Sequence, residues 1–173
     1  MSKKIAVLLS GSGVYDGTEI QEAVFSLLAI AQNGGEAHCV APDVDQHHVV
    51  NHLTGDEMEE KRNVLIESAR IARGEIKAVT EVNVDEFDAL VIPGGFGTAK
   101  NHTKWAFEGP QGEINSDVKH FIADFYIGKF LSGIFQRYFA KILLRFFYNF
   151  SLKFSNNGSL FKIDLNIYIF TIW

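Results

Sequence analysis

Two short apolar runs, each leading directly into a glycine-rich loop, constrain the fold of this chain more than any other feature. The first run covers residues 4–10 and the second covers residues 87–92. The glycine-rich loops at their ends cover residues 10–17 and 93–97. A nearly continuous apolar run is typical of a strand that is buried on both faces of a parallel sheet. The sequence therefore predicts a parallel sheet with both loops at its carboxyl edge.

Helical patterns separate the predicted strands. Thr18 and Gln21 have the spacing of a capping box, which predicts a helix that begins at Thr18 and ends at residues 33–35. Its apolar positions follow the 3.6-residue period of an amphipathic helix and are Ile20, Val24, Leu27, Leu28 and Ala31. Further elements are predicted as strands over residues 37–41 and 76–79 and helices over residues 63–73 and 116–125. This alternation predicts an α/β fold with a doubly wound, mostly parallel sheet.

The overall charge and the cysteine content limit the class of protein. The formal net charge is −5, whereas a nucleic-acid-binding domain normally carries a basic stripe. Cys39 is the single cysteine, so no internal disulfide can form, as expected in a reducing compartment. The apolar run near the N-terminus is too short for the hydrophobic region of a secretory signal peptide. These observations predict a cytoplasmic protein without a nucleic-acid partner.

The composition changes abruptly near residue 125. Residues 1–125 contain 10 Lys and Arg against 20 Asp and Glu, whereas residues 126–173 contain 6 against 1. Nine of the 15 Phe and four of the five Tyr also follow the change. One folded domain rarely changes its composition in this way. We therefore predict an α/β domain over residues 1–125 and an atypical aromatic and basic tail over residues 126–173.

Two features at the predicted carboxyl edge have the chemistry of a catalytic site. Glu19 and Glu22 lie one turn apart at the start of the first helix, where acidic residues compensate the helix dipole. The alternative is that one of them shares a proton with a nucleophile at the sheet edge. Gly94 and Gly95 offer unhindered backbone N–H groups at which an oxyanion could be held, or they form a plain turn.

Other residue patterns suggest competing sites. Residues 11–16 nearly match the GxGxxG motif, with Asp16 at the third glycine and Asp43 where a ribose-binding carboxylate would lie. A dinucleotide-binding module is therefore a lesser alternative. Three histidines suggest a metal site: His47, His48 and His52. No further Cys or His has the spacing of a metal ligand, so the favoured interpretation is that these are solvated histidines of a loop. Cys39 lies in a predicted buried strand and is expected to pack as a small apolar residue.

Three long strings in the sequence carry a resemblance to a known family. They are SGSGVYDGTEIQEAV at residues 10–24, NHLTGDEMEEKRNVLIESARIARGEI at 51–76 and ALVIPGGFGTAKN at 89–101. In this order they resemble the ElbB group of bacterial proteins, which is described as isoprenoid-biosynthesis-associated or glyoxalase-III-like. The group lies in the DJ-1/PfpI superfamily of class I glutamine amidotransferase-like domains. The resemblance covers about 125 residues.

The resemblance implies both a fold and an activity. The fold is a flavodoxin-like sandwich in which a cysteine nucleophile occupies a strained elbow between a strand and a helix. Such enzymes, which are commonly homodimers, convert small 2-oxoaldehydes such as glyoxal to hydroxy acids without glutathione, metal or nucleotide. The carboxylate that contacts the nucleophile corresponds to Glu22, with Glu19 as the alternative. The oxyanion amides correspond to Gly95 and the adjacent Gly94.

The nucleophile that the resemblance implies is missing from this chain. The family's pattern continues after Gly128-Lys129 with a strand and a Cys-Ile-Ala-Pro elbow, and by count the cysteine corresponds to Phe135. No cysteine follows Cys39. We interpret this departure as a reading-frame change at or just before Phe130, which truncates the domain. The chain is therefore predicted to be inactive.

A competing interpretation gives the tail a function. Basic residues recur every four positions among aromatic and aliphatic residues, at Arg137, Lys141 and Arg145. A basic amphipathic helix of this kind can lie on a membrane surface. The chain would then be a non-catalytic membrane-surface or interaction protein.

Overall fold

Four parallel strands form a sheet in the order β3-β2-β1-β4 in the computed structural model, which describes residues 2–131 and the side chains of residues 2–126. The strands are β1 (Lys4–Leu8), β2 (Glu36–Ala41), β3 (Ile76–Ala78) and β4 (Ala89–Val91). The helices are α1 (Ile20–Gln32), α2 (Val64–Ala72), α3 (Trp105–Glu108) and α4 (Ser116–Leu131), with a π-helical turn at Thr98–His102. The predicted α/β class with a parallel sheet is confirmed.

Helices cover both faces of the sheet. Ala6 and Leu8 of β1 belong to an apolar cluster that includes the α4 residues Val118, Phe121 and Phe125. Val7 and Leu9 point to the opposite face, because successive side chains of a strand alternate between the faces. There they pack in a cluster with residues of α1 and α2, which include Ala23, Leu27, Ile30 and Ile71. This two-sided covering defines a doubly wound sheet, in which β1 and β2 are the interior strands.

The first helix begins later than the capping-box spacing predicts. Its N-cap is Glu19, whose Oε2 accepts a hydrogen bond from the Glu22 N–H at 2.6 Å. Thr18 is fully buried, and its Oγ1 accepts a hydrogen bond from the Ser10 N–H at 2.7 Å. Thr18 therefore ties the loop to the end of β1 and does not cap the helix.

The apolar stripe of α1 is wider than its buried face. Ala23 is fully buried, whereas Ile20, Val24 and Leu28 are between 44% and 49% exposed. The 3.6-residue period correctly predicts the helix. It does not predict which apolar residues contact the sheet, because that depends on how α1 is rotated about its axis.

The segment between β4 and α4 contains short helical elements that the sequence pattern does not predict. The Thr98–His102 turn and α3 each span a few residues, too short for a periodic apolar stripe. Long-range contacts hold this segment in place. Asn101 Nδ2 donates to the Ser10 and Asp16 carbonyls at 2.9 and 2.8 Å, and His102 is buried.

The last helix continues beyond its predicted end at Phe125 and reaches Leu131. Phe135 and most of the tail at residues 126–173 lie outside the described residues. Between residues 2 and 131, no helix has the length and apolar character needed to cross a membrane.

Candidate functional site

A glutamate of α1 and the glycine-rich loop after β4 meet at the carboxyl edge of the sheet. Glu22 Oε2 accepts a hydrogen bond from the Gly94 N–H at 2.7 Å. The Glu19 N–H donates to the Gly94 carbonyl at 2.8 Å. These two hydrogen bonds join residues more than 70 positions apart and fix the start of α1 against the loop. The structure thus brings together Glu19, Glu22 and Gly94.

Gly95 has a conformation and a position that only glycine can adopt. Its φ is +109°, and a Cβ atom on it would overlap the Glu19 backbone nitrogen and the Gly17 carbonyl oxygen. Among the described residues, its N–H donates to no hydrogen-bond acceptor. The Gly94 N–H, in contrast, is engaged by Glu22. Of the two candidate oxyanion amides, the Gly95 amide is therefore the one available to a reacting group.

The two glutamates have different hydrogen-bonding roles. Glu19 Oε2 is engaged in capping α1, where its charge also compensates the helix dipole. Glu22 uses Oε2 for the Gly94 N–H. Each carboxylate keeps a second oxygen that can accept a proton. The contacts give Glu19 a capping role at the helix N-terminus, whereas the carboxylate of Glu22 contacts the loop that contains the candidate oxyanion amides.

The loop after β1 is occupied by protein contacts in a way that disfavours a dinucleotide. Asp16 is 3% exposed, and its Oδ2 accepts a hydrogen bond from the Val50 N–H at 2.7 Å. Asp43, the candidate ribose ligand, accepts a hydrogen bond from Asn63 Nδ2 at 2.7 Å. The carboxylate of Glu19 lies at the helix N-terminus, where a pyrophosphate would bind, and would repel it.

The three loop histidines pack against aromatic rings. His47 lies 4.0 Å from Phe107 between ring centroids, and His52 stacks on Tyr15 at 4.9 Å. His48 contacts His47 edge to face. Partial burial, together with the neighbouring His48, lowers the pKa of His47. In the part of the chain that the structure describes, no group of three or more ligating side chains could hold a metal ion.

Cys39 lies in β2 and is 7% exposed. Burial raises the pKa of its thiol to about 11, so the thiol stays neutral near pH 7. The prediction that Cys39 packs as a small apolar residue is confirmed.

Ser68 supports the site from a distance, and the sequence analysis does not identify it. The side chain is fully buried in α2, and its Oγ accepts a hydrogen bond from the Gly11 N–H at 2.9 Å. The two residues are 57 positions apart. No local pattern distinguishes this serine from a solvent-exposed one, because only the packing of α2 against the sheet brings it to the loop.

The fold and the site define a class of protein: α/β domains in which a glutamate of the first helix contacts a glycine-rich loop at the carboxyl edge. Known proteins are similar to this chain in sequence. The chain is 46% identical over 127 residues to the "ES1 protein homolog, mitochondrial" of Rattus norvegicus, covering 73% of this chain and 48% of that protein. It is 45% identical over 124 residues to human "Glutamine amidotransferase-like class 1 domain-containing protein 3, mitochondrial", covering 71% and 46%. No family model matches the sequence.

A solved structure shows the same fold. The isoprenoid biosynthesis protein with amidotransferase-like domain from Ehrlichia chaffeensis superposes with a TM-score of 0.69 at 41% identity, covering 73% of this chain and 60% of that one. The homologues of this chain are thus ES1 and glutamine amidotransferase-like class 1 domain proteins, and its structural neighbour is an ElbB-type protein. The predicted resemblance is confirmed. The chain spans about half the length of the curated relatives it matches.

The predicted cytoplasmic location is wrong, because the names of these relatives point to the mitochondrion. The rat and human proteins are named mitochondrial, as is the "ES1 protein, mitochondrial" of Danio rerio, which is 33% identical over 127 residues. The length of an apolar run tests only for a secretory signal. Mitochondrial import depends on amphipathic, Arg-rich segments, which such a test does not detect.

Proposed function

We propose that the described residues carry the carboxylate and the oxyanion amide of a glyoxalase-III-like site. Its substrates would be small 2-oxoaldehydes such as glyoxal, its products hydroxy acids, and it would need no cofactor. The contact of Glu22 with Gly94 carries this proposal, together with the adjacent Gly95 N–H, which has no acceptor in the described part of the chain. The name of the Ehrlichia protein supports a link to isoprenoid biosynthesis, and the names of the relatives support a mitochondrial location.

Each of these groups has a defined role in such a reaction. A thiolate adds to the aldehyde carbon, and the carbonyl oxygen becomes an oxyanion that the Gly95 N–H can stabilise. Glu22 can take the proton from this carbon and return it to the neighbouring carbonyl carbon, which leaves a thioester. Water then breaks the C–S bond, which releases the hydroxy acid and regenerates the thiolate. The contact of Glu22 with Gly94, the residue next to Gly95, supports this assignment.

The nucleophile is the missing part. Cys39 is the single cysteine, and its buried, neutral thiol lies within β2. The residue at the expected nucleophile position is Phe135, which cannot add to a carbonyl. We therefore propose that the 173-residue chain does not catalyse the reaction.

Two proteins test this proposal. The purified chain, incubated with glyoxal or methylglyoxal, is expected to form hydroxy acid no faster than buffer. A chimera in which the corresponding part of the Ehrlichia protein replaces residues 130–173 is expected to convert both aldehydes. Turnover by the unmodified chain, or an inactive chimera that is shown to be folded, would contradict the proposal.

Variants of the chimera test the assignment of the carboxylate. Glu22→Gln is expected to remove most of the activity, because the amide keeps the shape of the side chain but cannot accept the proton. Glu75→Gln serves as the matched control, since Glu75 is exposed between α2 and β3. A loss on Glu19→Gln with an unchanged rate on Glu22→Gln would show that the carboxylate is wrongly assigned.

A further inference from the structure

The direction of the Gly95 N–H is determined by a hydrogen bond of its neighbour. The Gly94 carbonyl and the Gly95 N–H belong to one planar trans peptide unit, in which the two groups point in opposite directions. The Gly94 carbonyl accepts the hydrogen bond from the Glu19 N–H at 2.8 Å. The Gly95 N–H therefore points away from the Glu19 backbone, and it turns whenever this hydrogen bond is displaced.

The glycine-rich loop after β1 holds the chain that follows Gly95. The Val14 carbonyl of this loop accepts a hydrogen bond from the Phe96 N–H at 2.8 Å. The Gly17 carbonyl accepts one from the Gly97 N–H, also at 2.8 Å. The Gly17 oxygen lies so close to Gly95 that a Cβ atom on Gly95 would overlap it. The position of Gly95 thus depends on the shape of the loop after β1.

One buried side chain, Asn101, spans this loop, which covers residues 10–17. Asn101 is 8% exposed, and its Nδ2 donates to the carbonyls of Ser10 and Asp16 at 2.9 and 2.8 Å. Its Oδ1 accepts a hydrogen bond from the His47 N–H at 2.9 Å. These partners engage both amide hydrogens and the amide oxygen, so they also fix the orientation of the side-chain amide. Asn101 therefore joins the start of the loop to a point near its end.

Asn101 belongs to the same chain segment as Gly95. It lies in the π-helical turn Thr98–His102, which directly follows the glycine-rich loop after β4. Turns of this kind are frequent at functional sites. The side chain of Asn101 links the two glycine-rich loops of the carboxyl edge to each other, and its own hydrogen bonds have no contact with the apolar clusters on the faces of the sheet.

We propose that Asn101 is a positioning residue of this site. Its amide braces the loop after β1, and this loop, together with the Glu19 N–H, directs the Gly95 N–H towards the carbonyl oxygen of the substrate. The inference rests on the proposed function, in which the Gly95 N–H stabilises the oxyanion. Asn101 acts through the loop and not by contact with the reacting atoms.

Asn101→Ala tests the brace, because it removes both donors. Asn63→Ala is the matched control. Asn63 also makes two side-chain hydrogen bonds, accepting from the Ile66 N–H and donating to Asp43, but these lie at the start of α2. Both variants lose hydrogen bonds, and only one of them loses bonds to the loop after β1.

Amide hydrogen exchange in the full 173-residue chain reports on the loop contacts. In Asn101→Ala the Phe96 and Gly97 amides are expected to exchange at least about tenfold faster than in the parent, as in a local opening. The Val7 amide in the interior strand β1 is the reference for global unfolding. In the control variant, exchange at the two loop amides is expected to change no more than exchange at Val7.

Kinetics of the chimera described above report on the reaction. Asn101→Ala in the chimera is expected to lower kcat by about tenfold to a hundredfold, since a small misplacement of a catalytic group has an effect of this size. KM is expected to stay near the parent value, because the oxyanion forms only after the substrate has bound. Asn63→Ala in the chimera is expected to leave both constants unchanged.

Two results would overturn the proposal: loop amides in Asn101→Ala that exchange as in the parent, or a folded Asn101→Ala chimera with the parent's kcat. An inactive but folded parent chimera would count against the proposed function alone, and the exchange measurement would then decide the role of Asn101. Should Asn101→Ala fail to fold, exchange of the side-chain amide hydrogens of Asn101 in the parent decides. Slow exchange supports the brace, and exchange as fast as that of the side chain of Gln21, an exposed residue of α1, refutes it.

Discussion

Burial of His102 predicts that acid destabilises the folded part of this chain. His102 ends the π-helical turn, is 2% exposed and donates from Nε2 to the Leu9 carbonyl at 3.0 Å. Burial lowers its pKa from 6.5 to about 4, and the hydrogen bond to Leu9 opposes this shift only in part. The imidazole is therefore neutral in the folded protein near pH 7.

The sign of the effect follows from proton binding in the two states. The unfolded chain protonates this histidine near its ordinary pKa of 6.5, and the folded chain only near 4. Between these values the unfolded state binds more protons, so the free energy of unfolding falls as the pH is lowered and levels off below about 4. At 1.36 kcal/mol per pKa unit, the loss is about 3 kcal/mol, a large part of the roughly 5–15 kcal/mol that stabilises a domain.

Urea unfolding followed by circular dichroism between pH 7 and 4 measures this loss. His102→Gln removes the titrating group, and its amide can still donate to the Leu9 carbonyl. The variant is expected to lose about 3 kcal/mol less than the parent over this range, since the contributions of the carboxylates cancel in the comparison. His120→Gln, at an exposed position of α4, is the matched control. Equal pH dependence in the parent and His102→Gln would refute the reasoning.

Three further predictions concern the loops and the tail. Gly95→Ala is expected to lower the free energy of unfolding by at least about 3 kcal/mol, measured by thermal unfolding, because its Cβ would overlap backbone atoms. The control is Gly34→Ala, whose Cβ meets no atom within 4 Å and which is expected to cost about 1 kcal/mol. Equal losses in the two variants would contradict this. Ser68→Ala leaves the buried Gly11 N–H unpaired and is expected to cost about 1–3 kcal/mol by urea unfolding. If residues 126–173 form a membrane-surface helix, a fusion carrying them binds anionic vesicles and dissociates as salt is raised; clumping without vesicles would contradict this.

The candidate site shows how far sequence patterns extend. Glu22, Gly94 and Gly95 are identified from their place beside predicted strands and from the resemblance. Their contacts are not, because a hydrogen bond across 72 positions leaves no local signature. The structure shows that Glu22 engages the Gly94 amide and that the Gly95 N–H has no acceptor among residues 2–131. Catalytic roles for these residues remain predictions.

The sequence by itself determined the order of the strands and of the three longer helices, and the location of the glycine-rich loops. These features depend on hydrophobic period and on backbone freedom, which are local properties of a chain. The tertiary structure alone decided that Thr18 bonds to Ser10, that Ser68 holds the Gly11 amide and that α1 turns Ala23 to the sheet. The physical reason is that these hydrogen-bond and packing partners meet only when the helices pack on the sheet. Many sequences with the same local pattern would pack differently.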